Sequence, residues 1–202
     1  TGQSCIAANR IYVQRSIYER FLETFVAKVK VMKVGNGLDE EVEVGPLIDM
    51  DALESTLAYI EDATSKGARL LCGGRRWGNK GAFVEPTVLA DVPADAACMK
   101  EEIFAPVASV CAFETEEEAI EKANESEYGL SAYAFTGNLN RVFRLAESIE
   151  AGTLAINDGA PTMSNCPFGG FKQSGWGREL GTEGLDAFLE TKHVSIGGMS
   201  FS

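Results

Sequence analysis

The sequence predicts an α/β fold in which a mainly parallel β-sheet carries helices on both faces, followed by a C-terminal oligomerisation strand. Three observations lead to this prediction. The 202 residues are enough for one sizeable domain. Extended apolar segments alternate with amphipathic segments, and repeated strand–helix–strand units favour parallel pairing. A glycine- and aromatic-rich stretch then interrupts the alternation ahead of one last extended segment.

The first elements are one strand and two helices. Residues 10–14 are predicted to form a short strand. Ser16 is the expected N-cap of the first helix, with Glu19 completing a capping box, and apolar residues at near-helical spacing extend this helix to about Lys33. A second helix is expected over residues 50–65, before a glycine that ends it.

The segments that follow alternate between extended and helical patterns. Residues 68–72 are predicted to form a buried strand. Residues 83–89 are extended, and Pro86 places them at a sheet edge or in a loop because proline cannot donate a backbone hydrogen bond. Residues 106–113 predict an apolar strand. The later elements are a helix capped by Thr115 and Glu118, a strand at 131–135, a helix at 138–149 and a strand at 152–156.

The C-terminal part departs from this alternation. Residues 167–178 are rich in glycine and aromatic side chains, which is typical of a shaped loop. A short helix is expected over 182–189 and a strand over 191–196, and a strand in such a position often pairs with another chain. We therefore expect a main domain over residues 1–180 and an assembly segment over residues 181–202.

Composition excludes several classes of function. Lys and Arg number 18 against 30 Asp and Glu, so the net charge of −12 disfavours a nucleic-acid surface. No stretch is apolar and long enough to span a membrane. The five cysteines are widely spaced without a C-x-x-C pair, so we expect neither a metal site nor a disulfide framework. A reducing, cytoplasmic location fits this cysteine usage.

Cys5 is the first candidate for chemistry. It lies among small and polar residues, just before an apolar segment. A thiol attacks as its thiolate and therefore needs assistance at neutral pH. The alternative is a half-buried structural thiol, and the local sequence leaves both interpretations open. Its place at the front of the chain suggests an excerpt of a longer protein.

Two further segments are candidates for binding. Glu101 and Glu102 precede Phe104 where a strand begins, and a carboxylate at such a boundary can accept hydrogen bonds from ribose hydroxyls. The alternative is a solvated acidic turn. In the loop at 167–178, we expect the ring of Phe168 to line one side of a pocket for a flat ligand. The alternative is a tight packing loop without a ligand.

Taken together, these segments resemble the aldehyde dehydrogenase superfamily, in the family's order and at its approximate spacing. The resemblance covers essentially the whole chain, to about Gly198. It rests on three motifs: Gly2-Gln3-Ser4-Cys5; Glu101-Glu102-Ile103-Phe104-x-Pro106; and Pro167-Phe168-Gly169-Gly170 with Ser174-Gly175-x-Gly177-Arg178-Glu179.

The resemblance implies a role for each candidate. Cys5 would attack an aldehyde and form a thiohemiacetal, then a thioester after hydride transfer to NAD or NADP. Its backbone N–H would be one oxyanion donor. Glu102 would bind the ribose beside the nicotinamide, Phe104 would pack near the nicotinamide, and Phe168 would line the substrate tunnel. Ala105 replaces the usual glycine and is expected to add a methyl near the cofactor edge.

Within the family, the chain is most similar to succinate-semialdehyde dehydrogenases. The signs are the segments 9–14 and 45–49 and the style of the tail. The resemblance implies that a hydroxyl from Thr162 or Ser164 contacts the substrate carboxylate. Some relatives carry a second cysteine two residues after the nucleophile and use the pair as a redox switch. Ala7 stands there, so we expect no such switch.

The resemblance also implies what lies outside the chain. The general base, the asparagine oxyanion donor and the cofactor-binding domain would all precede the cysteine, so we expect these residues alone not to turn over substrate. An acylating dehydrogenase, in which coenzyme A takes the thioester, is one alternative. A folding and assembly module without its own activity is another. We expect a homo-oligomer, either dimer or tetramer.

Overall fold

Residues 2–198 are described by a computed structural model, in which the chain forms two compact units. The first unit contains the residues up to Ser126 together with Asn138–Ile149. The second contains Glu127–Gly137 and the residues from Glu150 onward. The functional division at residue 180 that the sequence suggests stays a prediction.

The first unit contains five helices, four strands and one 3₁₀ turn, Arg15–Ile17. Its helices are α1 (Tyr18–Lys30), α2 (Met50–Ser65), α3 (Ala97–Lys100), α4 (Glu116–Asn124) and α5 (Leu139–Ser148). Its strands are β1 (Arg10–Gln14), β2 (Arg69–Cys72), β3 (Thr87–Ala90) and β4 (Val107–Phe113).

These strands form one mixed sheet in the order β1-β4-β3-β2. Strand β4 pairs in parallel with β1 on one side and with β3 on the other. The outer strand β2 pairs with β3 in the antiparallel direction. The predicted α/β class is therefore confirmed, with one antiparallel pairing added to the expected parallel ones.

The two faces of this sheet bury separate apolar clusters. On one face, Tyr18 and Leu22 of α1 pack with Val88 and Val110. On the opposite face, α2 packs with residues that include Leu89, since neighbouring side chains of a strand point to opposite sides. Helices consequently cover both faces, as the alternation of the sequence predicts.

The second unit contains two small strand pairs. Strand β6 (Ser131–Ala134) pairs in parallel with β7 (Thr153–Ile156). Strand β5 (Tyr128–Gly129) pairs antiparallel with β8 (Phe171–Lys172), which closes part of the glycine-rich loop. The strands predicted at 131–135 and 152–156 are thus confirmed to within one residue at each end.

Helix α2 begins and ends as predicted, but the start of α1 differs. The Ser16 capping box is wrong: α1 starts at Tyr18, and its N-cap makes no side-chain hydrogen bond. The reason is tertiary. The Tyr18 hydroxyl is buried, accepts a hydrogen bond from Asp91 N at 2.9 Å and donates to Val110 O at 3.1 Å. Thr115, in contrast, caps α4 as predicted, accepting a hydrogen bond from the backbone N–H of Glu118.

Of the two places predicted for Pro86, the loop is right and the sheet edge is wrong, and the strand predicted to be buried at 68–72 is only partly buried. Strand β3 is an inner strand and all four of its residues are buried. Pro86 lies just before the strand, so its missing N–H removes no hydrogen bond from the ladder. The edge position belongs to β2, which is partly exposed and not the buried strand that its apolar residues suggest.

Of the two elements predicted for the C-terminal segment, the described residues contain the short helix but not the strand. The expected short helix is a 3₁₀ helix over Glu183–Phe188. Residues 189–198, which include the predicted strand at 191–196, form no regular element in the described chain. A strand needs a neighbour for its backbone hydrogen bonds, so the proposed pairing with another chain stays a prediction.

Candidate active site

The candidate nucleophile lies on a tight turn ahead of β1. The backbone N–H of Ala7 donates to Ser4 O at 2.9 Å and closes the turn around Cys5. The Cys5 side chain is exposed. The turn therefore presents a thiol that small molecules can reach.

Amide side chains on both sides of this turn tie it to other loops. Before the turn, the Gln3 side chain donates to Pro46 O at 3.1 Å and accepts from the backbone N–H of Ile48 at 3.0 Å. After the turn, the Asn9 side chain donates to Glu101 O at 3.1 Å. Both amides bind backbone atoms, which fixes the turn against the rest of the first unit.

The turn also packs against the segment that follows the acidic pair. Gly2 has φ +76° and lies so close to the Ala105–Pro106 peptide that an added Cβ would stand 2.0 Å from Ala105 O. Only glycine permits this approach. Together with the Asn9 bond, this contact brings the Cys5 turn and the segment containing Glu102 and Phe104 to one region of the first unit.

Burial alternates along this acidic segment. Ile103 and Ala105 are 6% and 4% exposed and belong to the apolar core, whereas Glu102 and Phe104 are exposed. The Ala105 methyl is therefore turned into the core, and its expected place near the cofactor edge stays a prediction. The exposed pair, by the same alternation, shares the outer side of the segment.

The two carboxylates of the acidic pair have different surroundings. The hydroxyl of Tyr59 donates to Glu101 Oε2 at 2.9 Å, which holds that carboxylate against α2. Burial is the first cause of the raised pKa of Tyr59, and this hydrogen bond adds to it. Glu102 faces solvent. Of the two carboxylates, Glu102 is therefore the better placed to bind a ligand.

Phe104 is strained as well as exposed. Its φ is +51°, a region that a bulky side chain rarely adopts, and 42% of its surface is accessible. A large apolar side chain held outward at a backbone cost is common at ligand-binding positions.

The second unit shapes the glycine-rich loop that contains Phe168. Phe168 and Glu179 exchange two backbone hydrogen bonds of 2.7 Å, which pins both ends of the loop. The Arg178 side chain donates to Gly170 O at 3.1 Å and lies over the ring of Phe171. Glycine is required at position 152, where a Cβ would stand 1.7 Å from a backbone oxygen. Phe168 itself is half-buried.

The candidate hydroxyls lie just ahead of this loop. Thr162 and Ser164 are both exposed. The carbonyl of Ser164 accepts a hydrogen bond from Gly181 N at 3.1 Å, which anchors the backbone and leaves the side chain at the surface. These residues and Phe168 belong to the second unit, whereas Cys5, Glu102 and Phe104 belong to the first.

The other cysteines differ from Cys5 in their surroundings. Cys98 and Cys111 are buried in the core, and burial raises the pKa of both thiols, that of Cys111 to about 11. Cys72 is half-buried, and its pKa is raised for the same reason. Cys166 is exposed in the second unit. In the first unit, Cys5 is thus the cysteine most open to solvent.

Residues 2–198 show neither a metal cluster nor a membrane-spanning helix. No group of three or more His, Cys, Asp or Glu side chains in this range is arranged to hold a metal ion. None of the helices there combines the length and apolar character needed to cross a bilayer.

Sequence reasoning missed the residues that support the site. Gln3, Asn9 and Tyr59 gave no signal, because their hydrogen bonds join positions 42 to 92 residues apart.

A mixed sheet with helices on both faces, and an exposed cysteine on a turn packed against an acidic segment, define a class of α/β protein with a candidate nucleophile. The profile of the aldehyde dehydrogenase family matches residues 1–194. The chain belongs to this family.

Three similar proteins illustrate the match. A probable NADP⁺ succinate-semialdehyde dehydrogenase of Sinorhizobium fredii is 45% identical over 98% of this chain and 40% of its own length. A glutarate-semialdehyde dehydrogenase of Pseudomonas putida is 46% identical over 96% of this chain and 40% of its own. A crystal structure of Staphylococcus aureus betaine aldehyde dehydrogenase, with NAD⁺ and a BME-modified cysteine, has a TM-score of 0.91 at 41% identity, covering 96% of this chain and 40% of that one. The chain thus spans about two fifths of the length of these relatives.

Proposed function

We propose that this chain supplies the nucleophile and part of the cofactor contact of an NAD(P)-dependent aldehyde dehydrogenase, which oxidises an aldehyde to a carboxylic acid. One observation carries the proposal. The turn that exposes Cys5 is hydrogen-bonded to, and packed against, the segment that exposes Glu102 and Phe104. Family membership supports an oxidoreductase. The residues that complete the enzyme would come from outside the chain, which spans two fifths of its relatives.

The proposed chemistry starts at Cys5. The thiolate adds to the aldehyde carbon, which forms a C–S bond and turns the carbonyl oxygen into an alkoxide. The backbone N–H of Cys5 donates a hydrogen bond to that developing charge. Loss of hydride from this carbon leaves a thioester on Cys5, and water then releases the carboxylic acid and restores the thiol.

The exposed residues of the acidic segment suit a nicotinamide dinucleotide. A nicotinamide dinucleotide, when bound, accepts the hydride. The Glu102 carboxylate is exposed and offers two acceptor oxygens, which suits two ribose hydroxyls. Phe104 offers an apolar ring on the same side of the segment. The residues therefore fit such a group, and relatives whose names or complexes include NADP⁺ or NAD⁺ support either form.

For the substrate we propose an aldehyde that carries a carboxylate at its far end, with succinate semialdehyde as the first candidate. Similar relatives are dehydrogenases of succinate and glutarate semialdehydes. The exposed hydroxyls of Thr162 and Ser164 are the proposed contacts for that carboxylate. Replacing them by Val and Ala should raise KM for succinate semialdehyde and leave KM for butanal unchanged. Equal effects on both aldehydes would contradict the assignment.

The test of the function uses the full-length protein that carries this chain. Cys5→Ser should abolish aldehyde-dependent production of NADH or NADPH, and Cys166→Ser, the other exposed thiol, should not. Peptide mapping after iodoacetamide treatment should show Cys5 alkylated, with protection by cofactor and aldehyde together. Full activity of Cys5→Ser, or a Cys5 that never reacts, would refute the proposal. Turnover by residues 1–202 alone would refute the need for residues outside them.

A further inference from the structure

The Cys5 turn is held by side chains that have no direct part in the proposed chemistry. Within the turn, the backbone N–H of Ala7 donates to Ser4 O, and Ser4, Cys5 and Ala8 are all exposed. The side chains that flank an exposed turn contribute to fixing its position.

We propose that Gln3 and Asn9 are positioning residues that set where the Cys5 sulfur stands relative to the acidic segment. This role rests on the proposed function, because it concerns the position of the Cys5 sulfur as the nucleophile. Neither side chain needs to touch substrate or cofactor in this role.

The Gln3 amide is matched to its two partners. Its nitrogen donates to Pro46 O and its oxygen accepts from Ile48 N, so the plane of the amide is fixed from both ends. The loop that it binds is anchored in the core, because Leu47, between the two partners, is 4% exposed and belongs to the core cluster. Residues that offer only one of these functions cannot make both bonds.

The Asn9 amide joins the turn to the cofactor side of the site. It donates to the carbonyl of Glu101, whose own carboxylate is held by Tyr59. Glu102, the proposed ribose contact, is the next residue. Loss of the Asn9 amide therefore frees the turn from the acidic segment, whereas loss of the Gln3 amide frees it from the loop that contains Pro46 and Ile48.

Precise placement has a large effect on rate, because a displacement of about 1 Å can cost on the order of a hundredfold. Gln3→Met keeps the length of the side chain and removes both hydrogen bonds. Gln3→Glu keeps the oxygen that accepts from Ile48 N and loses the donor. Asn9→Leu removes the bond to Glu101 O. Asn124→Leu is the matched control, since the Asn124 amide also donates to a backbone carbonyl, at 2.7 Å in the first unit.

The experiment measures kcat, KM for the cofactor and thermal unfolding of these variants in the full-length protein. We expect Gln3→Met and Asn9→Leu to lower kcat by roughly tenfold to a hundredfold with KM for the cofactor little changed. Gln3→Glu should recover part of the lost kcat. The control should lose stability to a similar extent while keeping its kcat, which separates positioning from general destabilisation.

The outcomes distinguish this inference from the proposed function. If Cys5→Ser is inactive and Gln3→Met and Asn9→Leu keep the wild-type kcat, the positioning role is refuted and the function stands. If the control loses kcat in step with them, or if the Gln3 and Asn9 variants do not fold, these amides support the fold in general and the inference fails. If the wild-type protein oxidises no aldehyde, the proposed function itself fails.

Discussion

The contact between Gly2 and the Ala105 peptide allows a sharp test of the site. In Gly2→Ala, the new Cβ would stand 2.0 Å from Ala105 O and 2.6 Å from its carbonyl carbon. Both obstructing atoms are backbone atoms, so no side-chain rotation relieves the clash. The φ of +76° adds a second obstacle, because an L-residue with a Cβ disfavours this region.

The size of the effect follows from these distances. Carbon and oxygen atoms that are not bonded normally approach to about 3.3 Å, so the contact must open by roughly 1 Å or more. The turn and the acidic segment then separate by that amount, which is enough to reduce kcat about a hundredfold if Cys5 is the nucleophile. The left-handed φ costs a further ~1–2 kcal/mol of folding free energy.

Steady-state kinetics and urea unfolding of the full-length protein measure these two effects. Gly45→Ala is the matched control: it lies beside Pro46 on the loop that Gln3 grips, and a Cβ there meets nothing within 4 Å. We expect the control to keep both its kcat and its stability. A Gly2→Ala protein with normal kcat and normal stability would show that the approach of the turn to the Ala105 peptide does not govern the site.

Three further changes test the fold and the site. Tyr18→Phe leaves the buried carbonyl of Val110 and the partly buried N–H of Asp91 without their partner and should lower the free energy of unfolding by on the order of 2 kcal/mol in urea titrations. The pKa of Glu116 is lowered from 4.5 to about 2, chiefly by hydrogen bonds from Arg144 and next by those from Arg141. The stability gained from Glu116 is thus present above pH 4.5 and is lost as pH falls towards 2, so Glu116→Gln should be less stable than wild type at pH 7 and approach it in acid. Glu102→Gln should raise KM for the cofactor more than Glu101→Gln does, and the reverse order would exchange their proposed roles.

The sequence predicts the element pattern of the first unit well, because local signals set it. The α2 bounds and the Thr115 cap follow from capping residues and spacing. The prediction fails where tertiary contacts override local signals. The buried hydroxyl of Tyr18 moves the start of α1 away from Ser16. The inner position of β3 depends on its pairing with two neighbouring strands, and Pro86 gives no information on that pairing because it lies just outside the strand.

The site is likewise predictable only where local sequence motifs define it. Cys5, Glu102 and Phe104 belong to short motifs, and the structure places all three at the surface of the first unit. Their supports come from distant parts of the chain. Gln3 binds a loop more than 40 residues away, and only the folded chain brings that loop close. Periodicity and motif spacing carry no information about such contacts.

The alternation of burial at residues 102–105 explains how an alanine is accommodated at position 105. Ala105 points inward and joins a core cluster, so its methyl group adds apolar contact and leaves the outer side of the segment to Glu102 and Phe104. The backbone of Ala105, on the other hand, is the surface against which Gly2 lies. Gly2, on the nucleophile's side of the contact, therefore provides the positive φ and the missing Cβ that the close approach requires. The side chain of Ala105 is accommodated because it points into the core.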